Sequence, residues 1–168
     1  MINGPGGTQY AVAQRQTQQG GDWFFWVAGF SVVNAVLALA HAPFGFFFSL
    51  GVAGFAARSG GGLPAYLTAV VVGSAVIGLS GLFARRGARW AFLVGMGLYA
   101  LDALLCLSMR EYLETAAHAY ALFRIFQGFQ AAGQLAALRA QSASNPYAGY
   151  VPPASTPSND VWPPPPGA

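Results

Sequence analysis

The chain reads as an all-α membrane protein: a helical bundle of four transmembrane helices plus one short re-entrant or half helix. Three observations lead there. Hydrophobic residues make up 55% of the 168 and charged residues only 8%, against about 25% charged in a soluble domain. So few charges cannot cover a water-facing surface. The apolar residues also fall in successive runs of about 18–20, the length that crosses a bilayer. Arginines and tryptophans stand at the ends of those runs, where interfacial residues belong. Mean hydropathy is +0.46, an average diluted by polar ends. The alternative reading is five full spans.

Residues 1–21 are rich in Gly and Gln with little to bury, and are expected to be a disordered N-terminal tail. The transmembrane bundle is expected over 22–140. Its first run, Trp23–Ala40, carries no charge and opens with Trp23 and Trp26. Ala40-His41-Ala42 resembles a signal-peptidase site, but Arg15 is offset by Asp22 and Pro43 would follow the cut directly, which argues against cleavage.

Phe44–Ala57 is apolar but short. At 1.5 Å per residue it reaches about 21 Å, the length of a re-entrant or interfacial helix rather than a crossing. Arg58 and the flexible run Ser59-Gly60-Gly61-Gly62 end it. That run lacks the Lys-Ser/Thr of a phosphate loop, so nucleotide binding is not expected.

Ala65–Ala84 is the clearest span, with Tyr66 at one end and Arg85, Arg86 and Arg89 at the other. Trp90–Met109 follows after a very short loop, so the two form an antiparallel hairpin. Small residues in the first of them, Ala69 with Gly73 and Ser74 with Gly78 and Gly81, are spaced for close helix packing. Tyr112–Leu138 is helical in pattern but more polar. Arg124, Gln127, Gln130 and Gln134 fall on one side, and Leu122, Phe126, Phe129 and Ala136 on the other. It either spans with that stripe turned inward or lies in the interface. Residues 141–168 are expected to be a Pro-rich disordered tail, ending in Trp162 and four prolines.

The arginine cluster Arg85/Arg86/Arg89 sets the orientation and is expected in the cytoplasm. Four spans with an outer half helix then put both termini inside; five spans would put the N-terminus outside. A multi-pass protein of a bacterial inner membrane follows, with the lipid bilayer as its first partner, and other membrane proteins or a second copy as candidates. The basic excess, net +3 and all arginine, is too small and scattered for nucleic acid.

The stretch Leu82–Asp102, with Trp23–Asn34 and Phe123–Gln134, resembles an uncharacterised group of small multi-span membrane proteins of bacteria and archaea. The likeness covers Trp23–Leu138 and neither end. It implies a bundle fold and carries no activity.

Asp102 is the residue that demands an explanation. It lies about 12 Å below the outer end of its helix, where an ionised carboxylate costs at least about 2.5–3.5 kcal/mol. It has to be protonated, paired or wetted. Antiparallel geometry sets it opposite residue 120 or so, near His118 and Arg124, with Asn34 in a similar layer. Asn34, Asp102, His118 and Arg124 are therefore the candidate intramembrane cluster. His118 and Arg124 point about 120° apart on their helix, so Asp102 is expected to meet one of them. The cluster is read first as structural, and second as a proton, ion or ligand site. With two histidines, one cysteine and no H-E-x-x-H or C-x-x-C, no metal or other cofactor is expected. The serines lie in apolar runs without a base beside them, so no catalytic residue is assigned. The first expectation for function is a non-enzymatic accessory or scaffold protein. The second is a small transporter or channel component built around Asp102.

Overall fold

The computed structural model describes residues 5–42, 45 and 50–144. Helix α1 runs Pro5–Leu39, α2 Gly51–Ala56, α3 Gly62–Arg85, α4 Arg89–Ser108 and α5 Tyr112–Ser144. No strand occurs among the described residues. Three helical stretches are long and apolar enough to cross a membrane: Gly7–Leu39, Gly51–Arg85 and Arg89–Ser108.

The four long helices form a ring in which α1 packs on α3 and α5, and α4 packs on α3 and α5. Helix α1 is antiparallel to α3, because Gly21 meets Arg85 at one end while Ser74 Oγ donates to the Ala28 carbonyl further along (3.4 Å). It is also antiparallel to α5, since Gly20 crosses Gly128 and Arg139 Nε donates to Tyr10 Oη (3.3 Å). The core is built from one face of each helix. Phe24 of α1, Phe92 and Tyr99 of α4, and Ile125 of α5 are all sealed from solvent. Phe24 lies in a notch that Gly95 and Gly81 leave open, and a Cβ at Gly95 would collide with its ring.

The outer surface shows where lipid belongs. Val33, Val36, Val71, Leu79, Leu101 and Leu104 are large, apolar and exposed, a combination that water does not tolerate over so wide an area. Along α3 the exposed apolar residues run from Leu63 to Phe83, about 30 Å of helix, which matches a hydrocarbon core. At one edge of this belt stand Trp26, Phe83, Trp90 and Phe126; at the other stand Leu39, Leu63, Leu107 and Leu113. Arg85 lies just past the first edge and pairs with Asp22 (3.1 Å).

Two boundaries differ from the sequence expectation. Residues 5–21, expected to be disordered, continue α1 for about 24 Å beyond Gly21. The segment is too polar to predict a buried face, yet Ala13 and Thr17 are buried, and α5 supplies Ala131, Ala132 and Leu135 as further buried residues in the same region. The Gly20–Gly128 crossing makes this possible. A Cβ on either residue would strike the other's backbone, so the helix axes come closer than any other residue would allow. Helix α5 correspondingly runs to Ser144, past the expected end at Leu138. The rest of the Pro-rich tail, from 145 onward, lies outside the described residues.

Of the expected half helix Phe44–Ala57, residues 44 and 46–49 lie outside the described residues, and the described part holds the 6-residue helix α2. It is joined to α3 through Ala57–Gly61, where Ser59 and Gly60 leave helical geometry and Gly60 takes φ 92°, a conformation natural to glycine. Of the small residues expected to pack, Gly73 meets Leu50, Ser74 meets α1, Gly81 meets Phe24 and Gly21, and Ala69 borders the Ala35–Ala53–Val70 cluster. Gly78 does not follow them. A Cβ there would meet no atom within 4 Å, although Ser74 and Gly81 on either side of it along the helix both reach α1.

Candidate functional site

The inward stripe of α4 reads Phe92, Gly95, Tyr99, Asp102 and Cys106, steps of three and four that keep one helix face. Asp102 is its single charge. Its carboxylate meets the start of α2: Oδ2 accepts from the Gly51 amide (2.8 Å) and Oδ1 from the Val52 amide (2.7 Å). The first turn of any helix has amides with no intrahelical acceptor, and in apolar surroundings each would be costly to leave bare. The preceding amide, Leu50, donates to Ser31 Oγ of α1 (2.9 Å). Three successive amides are thus held by side chains of two other helices. Gly51 is needed here, because a Cβ would collide with Cys106 Sγ.

Helix α5 closes the site. His118 is fully buried, with Nε2 at 2.9 Å from Asp102 Oδ2 and Nδ1 at 2.7 Å from the Glu114 carbonyl. A carbonyl can only accept, so Nδ1 carries hydrogen. A second hydrogen lies between Nε2 and Oδ2. The Tyr99 ring stacks on the imidazole at 4.4 Å between centroids, and its hydroxyl is buried without a hydrogen-bond partner. Cys106 Sγ lies 3.7 Å from Glu114 Oε2.

The four predicted residues separate. Asp102 and His118 come together, as the 120° argument allows for one of the two α5 candidates. Arg124 is elsewhere: its guanidinium lies 5.9 Å from the centre of the Trp23 ring, and its Nε is buried without a partner. It borders a polar cleft of about 350 Å³ with Gln16, Gln19, Gln127, Gln130 and Gln134. So the polar stripe of α5 faces the glutamines of the α1 extension. Asn34 lies on the outer side of the site. It lines an outer cavity of about 220 Å³ with Gly45, Arg58, Tyr66 and Glu114. A third cavity, apolar and about 410 Å³, lies between α3 and α4 and reaches Asp102 past Leu98 and Leu101.

Sequence reasoning missed the backbone amides as the main partners of Asp102, and missed Cys106 and Glu114 as its neighbours. A signal for the second pair was present. Asp102 and Cys106 are four apart on α4, Glu114 and His118 four apart on α5, and the two helices are antiparallel across a short turn. Each pair shares a face.

Buried serine and threonine hydroxyls of the described helices are occupied. Thr17, Ser31 and Ser80 each donate to the carbonyl four residues back, the usual state of such groups in apolar helices. No family model matches this chain, and neither does a curated protein nor a solved structure.

Proposed function

We propose that this chain is a non-enzymatic multi-span membrane protein that serves as an accessory or scaffold subunit. The observation that carries the reading is the use made of Asp102. Its two oxygens already accept from Gly51 and Val52 and face His118, so the one carboxylate of the α4 stripe joins α2, α4 and α5. A polar group committed in this way locks helix order. What the protein then offers a partner is its surface, and the paired extension of α1 and α5 is the part that leaves the lipid belt.

In this reading α1, α3, α4 and α5 cross a bacterial inner membrane, α2 stays in the outer half, and both termini are cytoplasmic. Asp22 beside Arg85 supports it, because five spans would carry the N-terminus away from the arginine cluster. The arginine bias supplies the orientation. Photocrosslinking from Val12, exposed on the extension, tests the role. A discrete adduct with another membrane protein in intact membranes is expected; adducts with lipid alone would end the scaffold reading.

The second reading is a small transporter or channel component. The apolar groove that reaches Asp102 from between α3 and α4 favours it. Proteoliposomes decide between the two: ion or proton flux above that of empty vesicles, lost in Asp102→Asn, would put transport first.

A further inference from the structure

We propose that Asp102, Cys106 and His118, with Glu114 as a fourth ligand, form a binding site for one divalent transition-metal ion of the zinc class. The ligand atoms of the first three lie within 4.8 Å of one another, and all three residues are buried. Glu114 Oε2 is 3.7 Å from the thiol. Helix bundles build metal sites in this way, from pairs of residues on facing helices. Here Asp102 and Cys106 come from α4, and Glu114 and His118 from α5.

Three further observations support the site. The His118 ring is already oriented as a ligand: Nδ1 donates to the Glu114 carbonyl (2.7 Å), which fixes the ring and leaves Nε2 pointing at Asp102. Metal-bound histidines are held by just such a bond on their other nitrogen. The charges also suit a cation. The Asp102 and Glu114 carboxylates, the Cys106 thiolate and a neutral imidazole sum to −3, so a divalent ion leaves a single negative charge, with the Arg58 guanidinium lining the same cavity as Glu114. Finally, the outer cavity of about 220 Å³ touches both Gly51 and Glu114 and offers the ion a way in.

Binding needs little rearrangement. The ion takes the place of the hydrogen between Nε2 and Oδ2, and the thiol gives up its proton. Asp102 keeps its bonds to the Gly51 and Val52 amides. Zinc with bonds of about 2.0–2.3 Å sets tetrahedral ligands about 3.3–3.8 Å apart, so Nε2 and Oδ2, now 2.9 Å apart, open by about half an ångström, and no pair among the first three ligands, all within 4.8 Å, has far to close. A thiolate with an imidazole selects zinc-like ions over magnesium or calcium.

The test uses the full chain, purified in detergent with any affinity tag removed, stripped with chelator and titrated with Co²⁺. We expect one equivalent to bind with a sulfur-to-cobalt charge-transfer band and the strong visible bands of tetrahedral cobalt, and Zn²⁺ to displace it. Cys106→Ser should lose the charge-transfer band while its circular dichroism stays helical. Glu114→Gln should weaken binding by at least about 10–100-fold, the loss that follows when even a group supporting a ligand is removed. A wild-type protein with no such band, or a Cys106→Ser variant that keeps it, overturns the proposal. Neither result bears on the scaffold reading, whose test is crosslinking and flux.

Discussion

Gly51 and Cys106 touch so closely that no side chain fits between α2 and α4 at that point. The contact explains why the Asp102 carboxylate, one turn from Cys106, reaches two consecutive amides at 2.7–2.8 Å. Close approach and capping are one arrangement, and both can be disturbed separately.

Asp102→Ala should be the most damaging change in the bundle. It strips two amides and His118 of their acceptor at once. Removing one partner of a buried charged pair costs about 3–5 kcal/mol. Asp102→Asn keeps one acceptor oxygen and should insert and fold, at a cost of about 1–3 kcal/mol. Unfolding midpoints in mixed detergent check both. An Asp102→Leu protein as stable as the parent would show that the clamp contributes nothing.

Gly51→Ala should destabilise with the carboxylate still in place, because its Cβ meets the Cys106 sulfur. Overpacking of this kind costs about 1–3 kcal/mol. The double variant Gly51→Ala/Cys106→Ala should recover part of that loss, and a thermal melt of the pair measures the recovery.

Gly128→Ala should part α1 from α5 at the crossing and lower stability by about 1–3 kcal/mol. Gly78→Ala makes the contrast. With open space around it, the substitution should be neutral or stabilising by about 0.5–1 kcal/mol, the helix preference of alanine. If both variants melt alike, the helices do not cross as closely as described.

Cys106 is fully buried and should resist a membrane-permeant maleimide in the folded protein, then react once the chain is denatured. Full labelling under native conditions would place the thiol on an open surface.

Cysteines placed at Ser59 and Ala88, in a Cys106→Ser background, should label from opposite sides of the membrane, with Ala88 on the cytoplasmic side. A cysteine at Gln141 should share the side of Ala88. Labelling of Gln141 with Ser59 instead would remove α5 from the list of crossings.

The helices of the lipid belt were legible because their pattern is local. Ala65–Ala84 became Gly62–Arg85 and Trp90–Met109 became Arg89–Ser108, a residue to three at each end. Depth arithmetic also set Asp102 at the level of His118 and Arg124, one of which it was expected to meet, and the partner is His118. What escaped depends on partners distant in sequence. The Gln-rich start of α1 has no apolar stripe of its own; it is ordered against α5 through Ala13, Thr17 and the Gly20–Gly128 crossing, more than a hundred residues away. The amides of Gly51 and Val52 leave no trace in side-chain chemistry, so nothing in the letters pointed Asp102 toward them. Arg124 was misplaced because helical depth sets its level but not the direction it faces.

The clasp on α2 also constrains how the protein is made. The amides of Gly51 and Val52 are synthesised about fifty residues before the carboxylate that receives them. Until α4 emerges, that backbone has no protein acceptor in hydrocarbon, and it has to wait where water can reach it. The segment should therefore settle into place only once α4 is there to receive it. Assembly of this bundle runs out of chain order, and a ribosome stalled before Asp102 should leave α2 exposed at the membrane surface.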